Sequence, residues 1–153
     1  MVSVCYYCGE PADSVDHVIP QVVLKVLDPM DRDYCVRRIW EVAACRDCNS
    51  VLGTKLFPTI RKRVSYLKGR LRSRYKRLLV APRWEDWETM ELGDNLRSYV
   101  EAAQLRKRIV LSRLAWQPAR SAMWDSADNI LSKFIASSRA GASPTGPDAL
   151  GAE

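Results

Sequence analysis

The stretch Ala44-Cys45-Arg46-Asp47-Cys48-Asn49 decides the fold, because it repeats the spacing of Cys5-Tyr6-Tyr7-Cys8 near the start of the chain. Two C-x2-C pairs with 36 residues between them can deliver four thiolates to one tetrahedral Zn²⁺. Each pair makes a tight knuckle, and Gly9 directly after Cys8 suits the turn that closes the first. Four buried free thiols are the competing reading. With Cys5, Cys8, Cys45 and Cys48 all on the metal, no coordination position remains for substrate, so such a zinc is structural. Cys35 has no partner at this spacing and reads as a small apolar residue.

Around these pairs the chain is short-stranded. Ser14–Ile19 and Arg37–Ala44 are rich in β-branched and aromatic residues and read as two strands. The segment between them is too long for a hairpin turn, and Val22–Leu27 within it suggests a helical turn. From Thr59 to Val80 the period becomes helical. Ile60, Val64, Leu67, Leu71, Tyr75 and Leu78 recur at steps of three or four, and Pro82 ends the run. Further helices are expected over 84–92, over 96–116 with Asp94 or Asn95 as cap, and over 122–138 with Ser121 as cap. Trp84, Trp87, Trp116 and Trp124 are expected to form the core of those helices. The fold class is therefore α+β. It comprises a small zinc-stapled unit over 1–57, a helical region over 58–137, and a Gly/Ala/Pro/Ser-rich tail over 138–153 expected to be disordered.

Composition narrows the function. Hydrophobic residues make up 47%, enough for a packed core, and no apolar run reaches the roughly 20 residues of a membrane span. The first ten residues lack the basic-then-apolar pattern of a secretory signal, so a cytoplasmic location is expected, where paired cysteines hold metal more often than they form disulfides. The net charge of +6 is localised: residues 49–84 carry 11 basic and no acidic side chains, whereas both flanking regions are net acidic. Lys55, Arg61, Lys62, Arg63, Lys68, Arg70, Arg74 and Arg77 belong to this block. A one-sign surface suits a polyanion, because each phosphate contact releases condensed counterions. A solvated outer face over an apolar stripe is the plainer alternative.

The single histidine, His17, lies in Val15-Asp16-His17-Val18-Ile19-Pro20-Gln21. A lone His is commonly a packed or solvated residue. Here an acid precedes it, and a zinc staple would bring Asn49 towards its strand. Adjacent strand residues point to opposite faces, so Asp16 and His17 can serve one site only if a twist or bulge re-aims one of them.

Cys5-x2-Cys8-Gly9, Asp16-His17-Val18-Ile19-Pro20 and Ala44-Cys45-Arg46-Asp47-Cys48-Asn49, taken in order, resemble the zinc-containing HNH endonucleases of the ββα-metal (His-Me finger) fold over about residues 3–55. Asp16–Lys25 is also similar to the corresponding stretch of the HNH domain in RNA-guided DNA-cleaving effectors, and the longer layout is similar to small phage and prophage HNH proteins. The resemblance implies a metal-dependent DNA endonuclease. His17 would be the general base, and Asp16 and Asn49 would be the protein ligands of one catalytic Mg²⁺ or Mn²⁺. The products would be 5′-phosphate and 3′-hydroxyl ends. Phosphodiester hydrolysis needs these parts: an activated water, a cation against developing charge, and a positioned phosphate. Two positions depart from the family pattern. Trp40 stands where a bracing Asn is usual, and Leu52 stands where Lys is common; Lys55 or Arg61 could supply that charge. The alternative is a non-catalytic zinc module that binds DNA or docks on a phage packaging or repair assembly. Structured RNA or branched DNA is a third class of target.

Overall fold

The computed structural model describes residues 3–25, 29–30, 41–119 and 122–140. Over these residues it is an α+β protein with a two-stranded sheet and a majority of helix. Strand β1 (Ser14–His17) pairs antiparallel with β2 (Glu41–Ala44), with Ser14 opposite Ala44, Asp16 opposite Val42, and His17 opposite Glu41. Side chains alternate across this ribbon. Asp16, Val42 and Ala44 are buried on its inner face, while Val15 and Glu41 are exposed on the other. Helix α1 (Gln21–Leu24) follows β1, and α2 (Arg46–Leu52) follows β2 at once and packs against β1. Gly53, at φ 49, ends α2 in the left-handed region that a side chain disfavours.

Helix α3 (Ile60–Arg74) begins where Thr59 Oγ1 accepts from Lys62 N. Ile60, Leu67 and Leu71 are buried along it, as the apolar stripe predicts. The single helix expected over 59–80 is instead two, because Tyr75 (φ −101, ψ 15) interrupts it before α4 (Lys76–Val80). Helix α5 (Asp86–Met90) starts in a capping box between Glu85 and Glu88. Helix α6 (Asp94–Ala115) is capped at Gly93; Asp94 and Asn95, the expected caps, lie inside its first turn, where Asp94 complements the helix dipole. Helix α7 (Ala122–Ala140) packs on α3. Its Asp128 Oδ1 accepts from Ile60 N at 2.7 Å, capping α3 from across the fold.

One buried cluster joins Cys5, Tyr7 and Ile19 of the cysteine-bearing region to Leu67 and Leu71 of α3 and to Ala127 and Leu131 of α7. Trp84 is half-buried, but Trp87 and Trp116 do not join the helical core expected of them. Trp87 is 64% exposed, and Trp116 packs on the first cysteine knuckle instead. The side chain of Trp124, the cap Ser121, Cys35, Trp40, strand residues 37–40 and the tail from 141 lie outside the described residues. Among the described residues no helix is long and apolar enough to cross a membrane.

Candidate functional site

The four cysteines meet. Sγ atoms of Cys5, Cys8, Cys45 and Cys48 lie within 4.8 Å of one another, and Cys8 and Cys45 are 3.6 Å apart. Zn–S bonds of about 2.3 Å in a tetrahedron put sulfurs about 3.8 Å apart, so this donor set fits zinc. Backbone geometry builds each knuckle. Gly9 N donates to Cys5 O at 2.9 Å, and Gly9 takes φ 74 to close the first turn. Cys45 caps α2, so its first turn carries Cys48. Hydrogen bonds from the Cys48 and Cys8 thiols hold the Cys5 thiol well below the usual thiol range. For the Cys8 thiol the hydrogen bond with Cys48 lowers, but the hydrogen bond to Cys5 and burial together outweigh it and push the thiol up to about 12.

The far end of α6 closes over this cluster. A Cβ at Gly9 would sit 2.4 Å from the Trp116 ring, so the knuckle and the indole touch only because residue 9 is glycine. Trp116 Nε1 donates to Tyr6 O at 2.9 Å, and Tyr6 Oη donates to Ala119 O at 3.0 Å. Arg113 reaches the second knuckle, with Nη2 2.6 Å from Asp47 Oδ2 and 3.8 Å from Cys48 Sγ. Burial works against its charge, but bonds to Asp47 and Cys48 more than compensate and hold the guanidinium protonated.

The residues expected around the scissile phosphate divide between two faces. Asp16 is buried. Its two oxygens accept from Arg63 Nη2 at 2.7 and 2.9 Å, and Oδ2 also accepts from Tyr7 Oη at 2.5 Å. Asn49 lies on the same side. Its Nδ2 donates to Ser14 Oγ at 2.7 Å and Val15 O at 3.0 Å, and among the described residues its Oδ1 accepts no hydrogen bond. His17 points to the opposite face, where Nε2 is 3.0 Å from Glu41 Oε1 and 3.4 Å from Gln21 Nε2. Strand alternation thus prevails, and among the described residues Asp16 and His17 share no hydrogen-bond partner. With its oxygens taken by Arg63 and Tyr7, Asp16 does not fit a solvent-borne cation as it stands. Of the two expected ligands, Asn49 alone keeps a side-chain oxygen that accepts no hydrogen bond among the described residues.

The basic block is also sorted by burial. Arg61, Lys62, Arg70 and Arg77 are exposed, as is Lys55. Arg63 is not: the expectation that it faces phosphate is corrected, because its side chain is 2% exposed and is held by Asp16, Tyr7 and the Lys55 carbonyl. Its position explains this, three residues after Ile60 and four before Leu67 on the inward stripe. Arg74 is half-exposed and ion-paired with Asp47, and Lys68 Nζ donates to Trp116 O at 2.6 Å. Burial, then repulsion from Arg72, lowers the Lys68 amine below its usual range. Glu41, Tyr7, Asp47 and Arg113 escaped sequence reasoning. Only Glu41 carried a signal, since pairing Ser14 with Ala44 puts it opposite His17. Compared with family models, curated proteins and solved structures, the chain matches none.

Proposed function

We propose that this chain is a zinc-stapled, DNA-binding HNH-type endonuclease in which His17 is the general base. The observation that carries the reading is the His17–Glu41 pair on the open face of the ribbon, 3.0 Å apart. With Glu41 as acceptor the imidazole proton sits on Nε2, and Nδ1 is left to take a proton from water; a base oriented by a carboxylate is the recurring arrangement for this task. The exposed cations of α3 and α4 supply the phosphate-binding surface. The ribbon followed directly by α2, stapled by four cysteines, is the layout expected of a ββα-metal unit.

A divalent cation would polarise the phosphate and neutralise charge on the leaving oxygen. Asn49 would offer its Oδ1, and Asp16 would join only by exchanging Arg63 for the ion. This favours a second reading, a zinc module that binds DNA without cutting it, because the Asp16–Arg63 pair is complete without any metal. Incubating the full chain with supercoiled, linear, single-stranded and branched DNA in Mg²⁺ or Mn²⁺ separates the two. The nuclease reading expects cleavage of at least one substrate, with 5′-phosphate ends. Retention of DNA without cleavage in either metal selects the binding module.

A further inference from the structure

We infer that Arg113 is a positioning residue for the four-cysteine centre: a buried cation, delivered from the far end of α6, that balances the negative charge of the metal–thiolate cluster. The inference rests on that centre alone and holds whether or not the chain cuts DNA.

Four thiolates on Zn²⁺ leave a net charge of about −2, which is costly to bury unless a cation or donors face the sulfurs. Among the described residues, Arg113 is the cation hydrogen-bonded to a cluster sulfur, 3.8 Å from Cys48. Its side chain is 9% exposed. Among the described residues its buried Nε has no hydrogen-bond partner, a cost tolerated where strong negative charge lies close by. The visible anion does not suffice. Asp47 is itself partly exposed and is shared between Arg113 and the half-exposed Arg74, so the buried guanidinium does not have this carboxylate to itself. Thiolates on a bound metal would supply the missing negative charge. The metal also supplies a reason for the indole packed on Gly9: both knuckles are held by one turn of α6 and the residue after it, Arg113 on the second and Trp116 on the first. The zinc site is therefore completed by residues about 65 positions beyond its last ligand.

The test is zinc affinity of the full chain, measured by competition with a chromophoric chelator, for the parent, Arg113→Met, Arg113→Gln and Arg113→Lys. Loss of a group supporting a metal ligand typically lowers affinity about 10–100-fold. The neutral variants should fall in that range, and Arg113→Lys, which keeps charge without the fork, should lie between them and the parent. In cobalt-loaded protein the sulfur-to-metal charge-transfer band should shift in the neutral variants and return towards the parent in Arg113→Lys. Val110→Ala trims the same helix at a buried position without touching sulfur or charge. It should leave affinity within about twofold of the parent, set against the range above. If Arg113→Met does not fold, Arg113→Gln carries the comparison. Neutral variants that bind zinc within twofold of the parent, or a Val110→Ala loss equal to theirs, overturn the proposal.

Discussion

Replacing Arg63 by Met should be among the most damaging single changes in this protein. The guanidinium makes two bonds to Asp16, one from Nε to Tyr7 Oη at 3.1 Å, and one from Nη1 to Lys55 O at 3.1 Å, and it lies 5.5 Å from the centre of the Phe57 ring. Met fills much of the volume but leaves the Asp16 carboxylate buried with only the Tyr7 hydroxyl. Breaking a buried ion pair from one side costs about 3–5 kcal/mol, because the surviving charge is stranded. For a chain of this size each kcal/mol lowers Tm by roughly 2–4 °C, so about 4 kcal/mol corresponds to roughly 8–16 °C. Urea unfolding followed by far-ultraviolet circular dichroism reads the loss. Adding Asp16→Asn to Arg63→Met removes the stranded charge and should restore a substantial part of it. A loss below about 1 kcal/mol, the scale of a surface pair, would refute the reasoning. It would mean that the pair is solvated and Asp16 is free to meet a cation.

Four further outcomes follow from the geometry. Elemental analysis should find one zinc per chain, and Cys45→Ser should lower both zinc content and Tm; equal stability and metal content would remove the staple. Gly9→Ala should destabilise by at least about 1–3 kcal/mol on the strain of its φ alone, with the collision against Trp116 added, and an unchanged urea midpoint would contradict that packing. Reversing Arg61, Arg70 and Arg77 together should weaken DNA binding alike across unrelated sequences and flatten the dependence of log affinity on log salt, while an unchanged slope would put the DNA track elsewhere. Burial first, and then the Asp16 charge, raises the Tyr7 phenol above its usual range. An unfolded phenol ionises from about pH 10 while the folded one stays neutral, so stability present below pH 10 is lost as pH rises beyond it. Tyr7→Phe should lose stability less steeply there, and parallel curves would show Tyr7 to be solvated.

The four-cysteine cluster was legible because its signal is local: two short spacings, each made by one turn, bring four thiols together. The stripe of α3 was legible for the same reason, being a single period. What escaped depended on partners far apart in sequence. Arg63 occupies an inward position of that stripe, yet a cation is acceptable there only because Asp16 lies 47 residues away on the inner face of β1. The alternation rule separated Asp16 from His17 in advance, but not which of them would turn inward. Trp116 reads as helix core by composition; its ring is instead drawn to the bare backbone at Gly9, a contact across 107 residues. The break at Tyr75 has no Gly or Pro to announce it.

The most direct measurement is the single-turnover cleavage rate of DNA already bound to saturating protein, with zinc content matched, for the parent and His17→Ala. Saturation removes differences in affinity, so the comparison isolates the base. Loss of a general base costs about 10²–10⁴-fold, and His17→Ala should fall in that range while still binding zinc and DNA. Equal rates for parent and variant would contradict the assignment of His17, and a parent with no rate on any DNA in Mg²⁺ or Mn²⁺ would contradict the nuclease itself.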